Sequence, residues 1–284
     1  MALRRLFVLL ALVIATAAIA AGCGSDSDDD GGGSNTGTNA DGVSTPAPLE
    51  ADGEFLFCTD VPYPPAEFLE KDGSFAGYEV EMAEEIAERI GTDAEFQKTG
   101  FDGIIAALLA DKCDAIVSSM NVTPEREKEV AFVEYMTIGQ AVAVGPDDEG
   151  SIESLEDLGG KTVAVQVGTT LKDAIDKANA DLDDKIELKT YPDAGAAALA
   201  LQKGDVDAFF ADAPVVADYV GKDPESFAIG GTQIDELPAG IALRKGDTEL
   251  QEAVQDAVDE MYADGTMLDI FEKWNVDEFV LEDK

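Results

Sequence analysis

The residues best suited to chemistry in this chain lie together at positions 118–126, Ser-Ser-Met-Asn-Val-Thr-Pro-Glu-Arg. Arg126 is the reactive charge among them. Upstream, Cys113-Asp114-Ala115-Ile116-Val117 is a short apolar run of the kind that forms an inner strand of a parallel sheet. Downstream, Thr123-Pro124-Glu125 reads as a helix start, with Thr123 as N-cap and Pro124 at the first helical position, where a missing N–H costs nothing. Arg126 then falls on the third helical residue, against the positive end of the helix dipole and where capping boxes prefer Glu or Gln. Two partners could offset that cation. One is an ion pair with Glu125 or Glu129; the other is a carboxylate from outside, held jointly by the guanidinium and free helix N–H groups.

The rest of the composition narrows the chemistry. No histidine occurs in the 284 residues, which removes Ser-His-Asp and Cys-His nucleophile systems, His-based zinc sites and the usual general base near neutral pH. Lys and Arg number 19 against 60 Asp and Glu, and a formal net charge of −41 repels phosphate backbones, so no nucleic-acid partner is expected. A heavily solvated acidic surface explains that charge without involving a ligand. The length and a hydrophobic share of 45% suit two lobes with cores of their own.

Residues 1–22 carry Arg4 and Arg5, an apolar run and small closing residues, the pattern of a secretory signal peptide. Ala20-Ala21-Gly22-Cys23 resembles a bacterial lipobox with Ala20 in place of the usual Leu, which makes Cys23 a lipidation site and the membrane a partner through that lipid. Residues 23–51 follow as a flexible linker rich in Gly, Ser, Asp, Asn and Thr, about 25 residues of which span ~30 Å on average. No later run of roughly 18 apolar residues could cross a bilayer. The expected location is extracytoplasmic, at the cell membrane.

The folded part opens with strand-like Phe55-Leu56-Phe57 and a proline-rich stretch, residues 61–65, expected as an exposed loop. Gly77-Tyr78-Glu79-Val80-Glu81-Met82 leads into a helix with Ile86, Ala87 and Ile90 inward and Gly91 as its stop. Residues 93–97 read as a strand and 102–111 as a helix with Ile104, Ile105, Leu108 and Leu109 inward. The order helix, lysine, Asp-Ala, buried strand over 106–116 returns over 198–209, which suggests two lobes of like construction. Strands are also expected at 161–166, 186–191, 206–211 and 240–243, and helices after Gly168 and over 247–263 and 267–274. Alternating strands and helices give an α/β fold, each lobe a mainly parallel sheet flanked by helices.

These residues together resemble the family 3 extracellular solute-binding proteins, the amino-acid receptors of bacterial ABC importers. The resemblance rests on residues 77–82 with Ile86, Ala87 and Ile90, then on Thr59-Asp60 with Tyr63-Pro64-Pro65, Phe101-Asp102-Gly103-Ile104-Ile105, residues 119–126, Gly168-Thr169-Thr170 and Ala211-Asp212, all in the family order. It implies a two-lobed periplasmic-binding-protein clamp, with residues 52–140 and 241–284 in one lobe and 141–240 in the other, joined near 138–144 and 237–243. In the family, the Arg matching Arg126 pairs with a ligand α-carboxylate, which also receives N–H groups at Asn121, Thr169 and Thr170. The residue matching Asp212 takes the α-ammonium with the Ser119 carbonyl, although Asp212 judged without the resemblance reads rather as the N-cap of the helix after it. Asp60, Tyr63, Phe101 and Gln166 would meet the ligand side chain, favouring a polar amino acid. Asn121 stands where the family has Ser or Thr, and Ala66 where it has Phe. No catalytic residue, metal or cofactor is implied; the partners are a free amino acid and ABC permease subunits, and the chain is expected as a monomer. The alternative functions are a cyclohexadienyl-dehydratase-like enzyme on the same fold, or a ligand-sensing module.

Cys58 and Cys113 remain after Cys23. Parity favours a bridge in a compartment that permits disulfides. Strand register opposes it: with Cys113 at the start of an extended strand the two would lie ~13 Å apart, so two free thiols are expected.

Overall fold

Alternation of apolar residues determines how each strand is buried. In the computed structural model, which describes Pro46, Leu49 and residues 53–281 apart from the side chains at 232–235, β1 (Glu54–Thr59) sends Phe55 and Phe57 to one hydrophobic cluster and Leu56 and Cys58 to another on the opposite face. The hairpin β2 (Phe68–Leu69) and β3 (Phe75–Ala76) precedes α1 (Tyr78–Ile90), whose Tyr78, Met82, Ile86 and Ile90 are buried at helical spacing and which ends on left-handed Gly91. β4 (Asp93–Lys98), α2 (Ile104–Leu109) and β5 (Ala115–Ile116) follow. The long β6 (Val130–Val144) leads to β7 (Thr162–Gln166), α3 (Thr170–Asp181), β8 (Glu187–Tyr191), α4 (Ala194–Gln202), β9 (Ala208–Asp212) and α5 (Ala213–Lys222). β10 (Ala228–Arg244), α6 (Thr248–Asp264) and α7 (Thr266–Trp274) close the described chain.

Eight strands form one sheet in the order β4-β1-β5-β10-β6-β9-β7-β8. From either end the construction is the same: β1 lies between β4 and β5, β7 lies between β8 and β9, and all four pairings are parallel. The repeat over 106–116 and 198–209 corresponds to this duplication, since β5 and β9 occupy equivalent places. Between the halves run β6 and β10, antiparallel, with Leu237 opposite Ile138. β10 reaches the first half through Ala242 and Leu243, and β6 reaches the second through residues 140–144. These two strands therefore join the halves of a two-lobed α/β fold, and β10 is irregular in register between Ile229 and Glu236, where strands bend most readily. The second half buries Val163, Val165 and Phe210 on one face and Ala164, Phe209 and Ala211 on the other. α6 and α7 return to pack on α1.

Residues 123–129 do not form a helix; only the single 3-10 turn Arg126–Lys128 forms before β6 begins at Val130. The N-cap of this turn is Glu125 rather than Thr123, although Thr123 Oγ1 accepts from Arg126 N at 3.3 Å; so short a turn has little dipole, and the dipole argument for Arg126 lapses. The proline-rich loop is buried, and with it Val61, Tyr63 and Ala66. It is sealed by α1, whose first N–H groups donate to Pro65 and Ala66 carbonyls, and its prolines bring few donors that burial would leave unmet. On α2, Ile104 and Leu108 are buried, whereas Leu109 is exposed.

The cysteines are bridged, with Cα atoms of Cys58 and Cys113 5.6 Å apart. The strand comprises only Ala115 and Ile116, so Cys113 stands outside the extended register on which the longer distance depended. The expected signal peptide, Cys23 and nearly all of the linker lie outside the described residues, while Leu49 is buried against the core. No helix among the described residues is long and apolar enough to cross a membrane.

Candidate functional site

β1, β5, β7 and β9 all end toward the same region, as parallel strands flanking a reversal of strand order do. There a cavity of about 20 Å³ is lined by Asp60, Tyr63, Phe101, Ser119, Asn121, Gln166, Thr169 and Asp212, and also by Glu67, Ser118 and Leu171. That volume holds on the order of one water. Its walls are bonded to each other across the two halves. Gln166 Nε2 donates to Asp60 Oδ2 at 2.5 Å, the Tyr63 hydroxyl to Asp212 Oδ2 at 2.7 Å, and Thr170 Oγ1 to Asn121 Oδ1 at 2.8 Å. Anything larger than water enters only if the halves part and these bonds break.

Arg126 flanks the cavity rather than lining it. Its Nη1 donates to the Asn121 carbonyl at 2.8 Å and its Nη2 to the Gly168 carbonyl at 3.1 Å, and the guanidinium sits 5.4 Å from the Phe101 ring centroid. Neither Glu125 nor Glu129 is within ion-pair distance of Arg126; Glu125 faces Lys128 instead. Burial lowers the Arg126 pKa, and Asp212, followed by Asp173, works against that shift. A cation in partial desolvation, holding only neutral carbonyls, is poised for an anion.

The two acids sit in contrasting surroundings. Burial pushes Asp212 up to about 7, opposed by the Tyr63 hydrogen bond and Arg126 and reinforced by Glu79. Although Asp212 opens α5, its side chain makes no capping bond and receives Tyr63 instead, so the N-cap role does not account for it. Burial likewise pushes Asp60 up to about 6, with Gln166 and Lys98 opposing and Asp193 adding to the rise. Thr169 Oγ1 bonds back to the Gln166 carbonyl at 2.8 Å, and α3 begins at the next residue. Asn121 Nδ2 is a buried donor that meets no acceptor among the described residues.

Beneath the cavity lies a layer that sequence reasoning missed. Ser118 Oγ receives Asp60 N at 3.0 Å and donates to Glu67 Oε1 at 2.8 Å. Glu79 receives Ser119 through its N at 2.8 and 3.0 Å and its Oγ at 2.8 Å, and also the Tyr135 hydroxyl. Burial, then the neighbouring Glu79, holds Glu67 well above the ordinary carboxylate range, which favours its protonated form. An acid inside the apolar Pro-Pro-Ala-Glu stretch was the available signal. Leu171 offered none. Ala66 does not border the cavity; it is buried under α1, where its carbonyl would stand 2.0 Å from a Cβ on Gly77.

Residues 55–277 match the bacterial extracellular solute-binding proteins, family 3. The chain belongs to this family. Among curated relatives it is similar to the L-cystine-binding protein TcyJ of Escherichia coli K12, 33% identical over 223 residues, 78% of this chain and 82% of that one. Among solved structures it is similar to an ancestral arginine-binding protein bound to arginine, at 37% identity and a TM-score of 0.74, covering 78% of this chain and 98% of the other. It is also similar to an ancestral amino acid-binding protein that is a precursor of cyclohexadienyl dehydratase, at 35% identity and a TM-score of 0.72, covering 80% and 97%. For a family 3 protein, the ten side chains singled out from sequence converge well: eight line the cavity, and Arg126 and Thr170 bond directly to Asn121 in its wall.

Proposed function

We propose that this protein is the receptor of an ABC importer and clamps an amino acid with a cationic side chain between lobes 52–140 with 241–284 and 141–240. The observation that carries the reading is the uneven charge around one small space: a single guanidinium at one end, Asp212 beside it, and a further acid, Asp60, with Gln166 at the other. A zwitterion uses Arg126 and Asp212 for its two backbone charges. Asn121 Nδ2 and the N–H groups at Thr169 and Thr170 add donors to the carboxylate, the Ser119 carbonyl adds an acceptor to the ammonium, and Tyr63 and Phe101 flank the ligand. Asp60 is then left over, and a buried acid is best matched by a positive side chain. Cystine would bring a second ammonium to this end but also a second carboxylate beside the buried Asp60, with Lys98 as a nearby cation.

The relatives named for amino-acid binding support the reading, and no catalytic residue is assigned. A lipid on Cys23 anchors the monomer outside the cytoplasmic membrane within reach of its permease; a Cys23→Ser chain that stays with the membrane fraction argues against that anchor. Calorimetry with arginine, lysine, glutamine and cystine tests the ligand class. Arginine or lysine is expected to bind at least about tenfold more tightly than glutamine, and Asp60→Asn to erase that margin. A tighter complex with glutamine or cystine would overturn the cationic assignment.

A further inference from the structure

On the Asp60 side, outside the cavity lining, the two halves also meet where a proline ring faces a glycine. Pro62, two residues beyond Asp60 in the loop after β1, lies against Gly195 in the first turn of α4. A Cβ placed on Gly195 would stand 3.2 Å from Pro62 Cγ, 3.3 Å from Asp193 Oδ1 and 3.6 Å from the Tyr219 hydroxyl. β1 and β8, which delivers the chain to α4, are separated by five other strands in the sheet, so this contact exists only because the two halves are drawn together. Gly195 has no need of glycine for its backbone: it lies inside a regular helix capped by Asp193, whose Oδ1 accepts from Ala196 N at 2.8 Å, and its φ is not positive. There, glycine is the less favourable choice for the helix itself. Its small size is therefore explained by what approaches it.

We infer that Gly195 is the gauge that sets how far the clamp closes over the side-chain end of the ligand, with Pro62 as its stop. Closure at this point brings Gln166 to Asp60, and Gln166 Nε2 also reaches the Pro192 carbonyl at 3.4 Å, just ahead of α4. A side chain at 195 would hold α4 away from the β1 loop and lengthen the gap Gln166 must cross. Gly168 makes a comparable approach to Asp102, 2.9 Å from its Cα to a built Cβ, but its φ of +82° strains any replacement, so it does not separate closure from local strain.

The inference rests on the amino-acid clamp proposed above, and the two are tested apart. The full chain and its Gly195→Ala and Gly195→Val variants are compared for thermal midpoint without ligand, for affinity and dissociation rate with arginine, and for radius of gyration with arginine by small-angle scattering. Both variants are expected to keep or raise the ligand-free midpoint. Affinity should fall severalfold for Ala and by about tenfold or more for Val, mainly through faster dissociation, with a larger radius of gyration in the complex. Unchanged affinity and radius in the Val variant overturns the inference while leaving the clamp intact. So does a fall in midpoint that parallels the loss of affinity, because that marks a plain folding defect. If the parent binds neither arginine nor any other amino acid tried, the clamp reading fails and takes the gauge with it.

Discussion

The two halves of the sheet are wound alike but furnished differently. β1 and β7 occupy equivalent places, and just beyond one and at the end of the other stand Asp60 and Gln166, which bond to each other. β5 and β9 are equally matched, yet β9 runs straight from Asp212 into α5, while the chain after β5 wanders through residues 117–129 and presents Arg126 from a single 3-10 turn. The first half is also reinforced by the Cys58–Cys113 bridge and by the hydrogen bonds of Ser118 to Glu67 and Ser119 to Glu79, whereas no disulfide occurs in the second half among its described residues. Duplication thus supplies the geometry of facing strand ends, and divergence of the loops assigns their charges: a cation from one half and an acid from the other make a site that suits a zwitterion.

The strongest test of that division removes one charge from each half. Losing either partner of a desolvated charge pair costs roughly 2 to 5 kcal/mol, about 30-fold to several thousandfold in affinity. Arg126→Lys keeps the charge but loses the two-pronged geometry that now reaches Asn121 and Gly168, and Asp212→Asn keeps a hydrogen-bond acceptor for Tyr63 without the charge. Calorimetry should show both binding far more weakly than the parent, with ligand-free thermal midpoints close to it. If Arg126→Lys binds as tightly as the parent, the guanidinium serves only to bridge two carbonyls and the division of charge is wrong.

Reinforcement is the next difference to break. The bridge closes a loop with a sequence separation of 55 residues, for which the loss of chain entropy in the unfolded state corresponds to about 4 kcal/mol. Cys58→Ser with Cys113→Ser should lower the midpoint accordingly. Because the bridge lies in a buried layer with Ile104, Leu108 and Ile116 rather than in the cavity wall, affinity should change much less than stability. Equal stability of the double variant would show the cross-link to be incidental.

Much of this was legible in sequence where a local signal decided the structure. The strands at 55–57, 93–97 and 161–166, the helix that carries Ile86, Ala87 and Ile90 and the late helices follow from periodicity and stop signals, and the strand ends that converge on the cavity follow from their order. What failed depended on contacts distant in sequence. Thr123-Pro124 carries a helix signal, but pairing with β10 draws the chain into β6 from Val130 before a helix can form. The thiols were misplaced because a strand of only two residues leaves Cys113 free to turn toward Cys58. Glu67 went unseen since its burial depends on α1 closing over a proline-rich loop that in isolation reads as exposed.

The acids of the two halves also differ in when they titrate, which gives the finest test. Asp212 stands at about 7 and Asp60 at about 6, both raised from 3.8 chiefly by burial. A cation bound to either favours the ionised form, so the complex binds fewer protons than the free protein and affinity rises with pH through each value. Below a given pKa the loss approaches about tenfold per pH unit per proton released. Glutamine, which engages Asp212 alone, should weaken as pH falls below about 7. Arginine should follow it and then weaken further below about 6, as Asp60 protonates, so that the margin between the two ligands narrows from pH 7 to pH 5. The ligand-free fold responds with the opposite sign: between about 4 and 7 it binds more protons than the unfolded chain, so its stability declines as pH rises through that window. Calorimetry of both ligands at pH 5, 6, 7 and 8 measures the first effect, and thermal melts of the free protein at the same values measure the second. A margin that stays constant across this range would mean that Asp60 does not face the ligand side chain, and the two strand ends would then no longer divide the work as proposed.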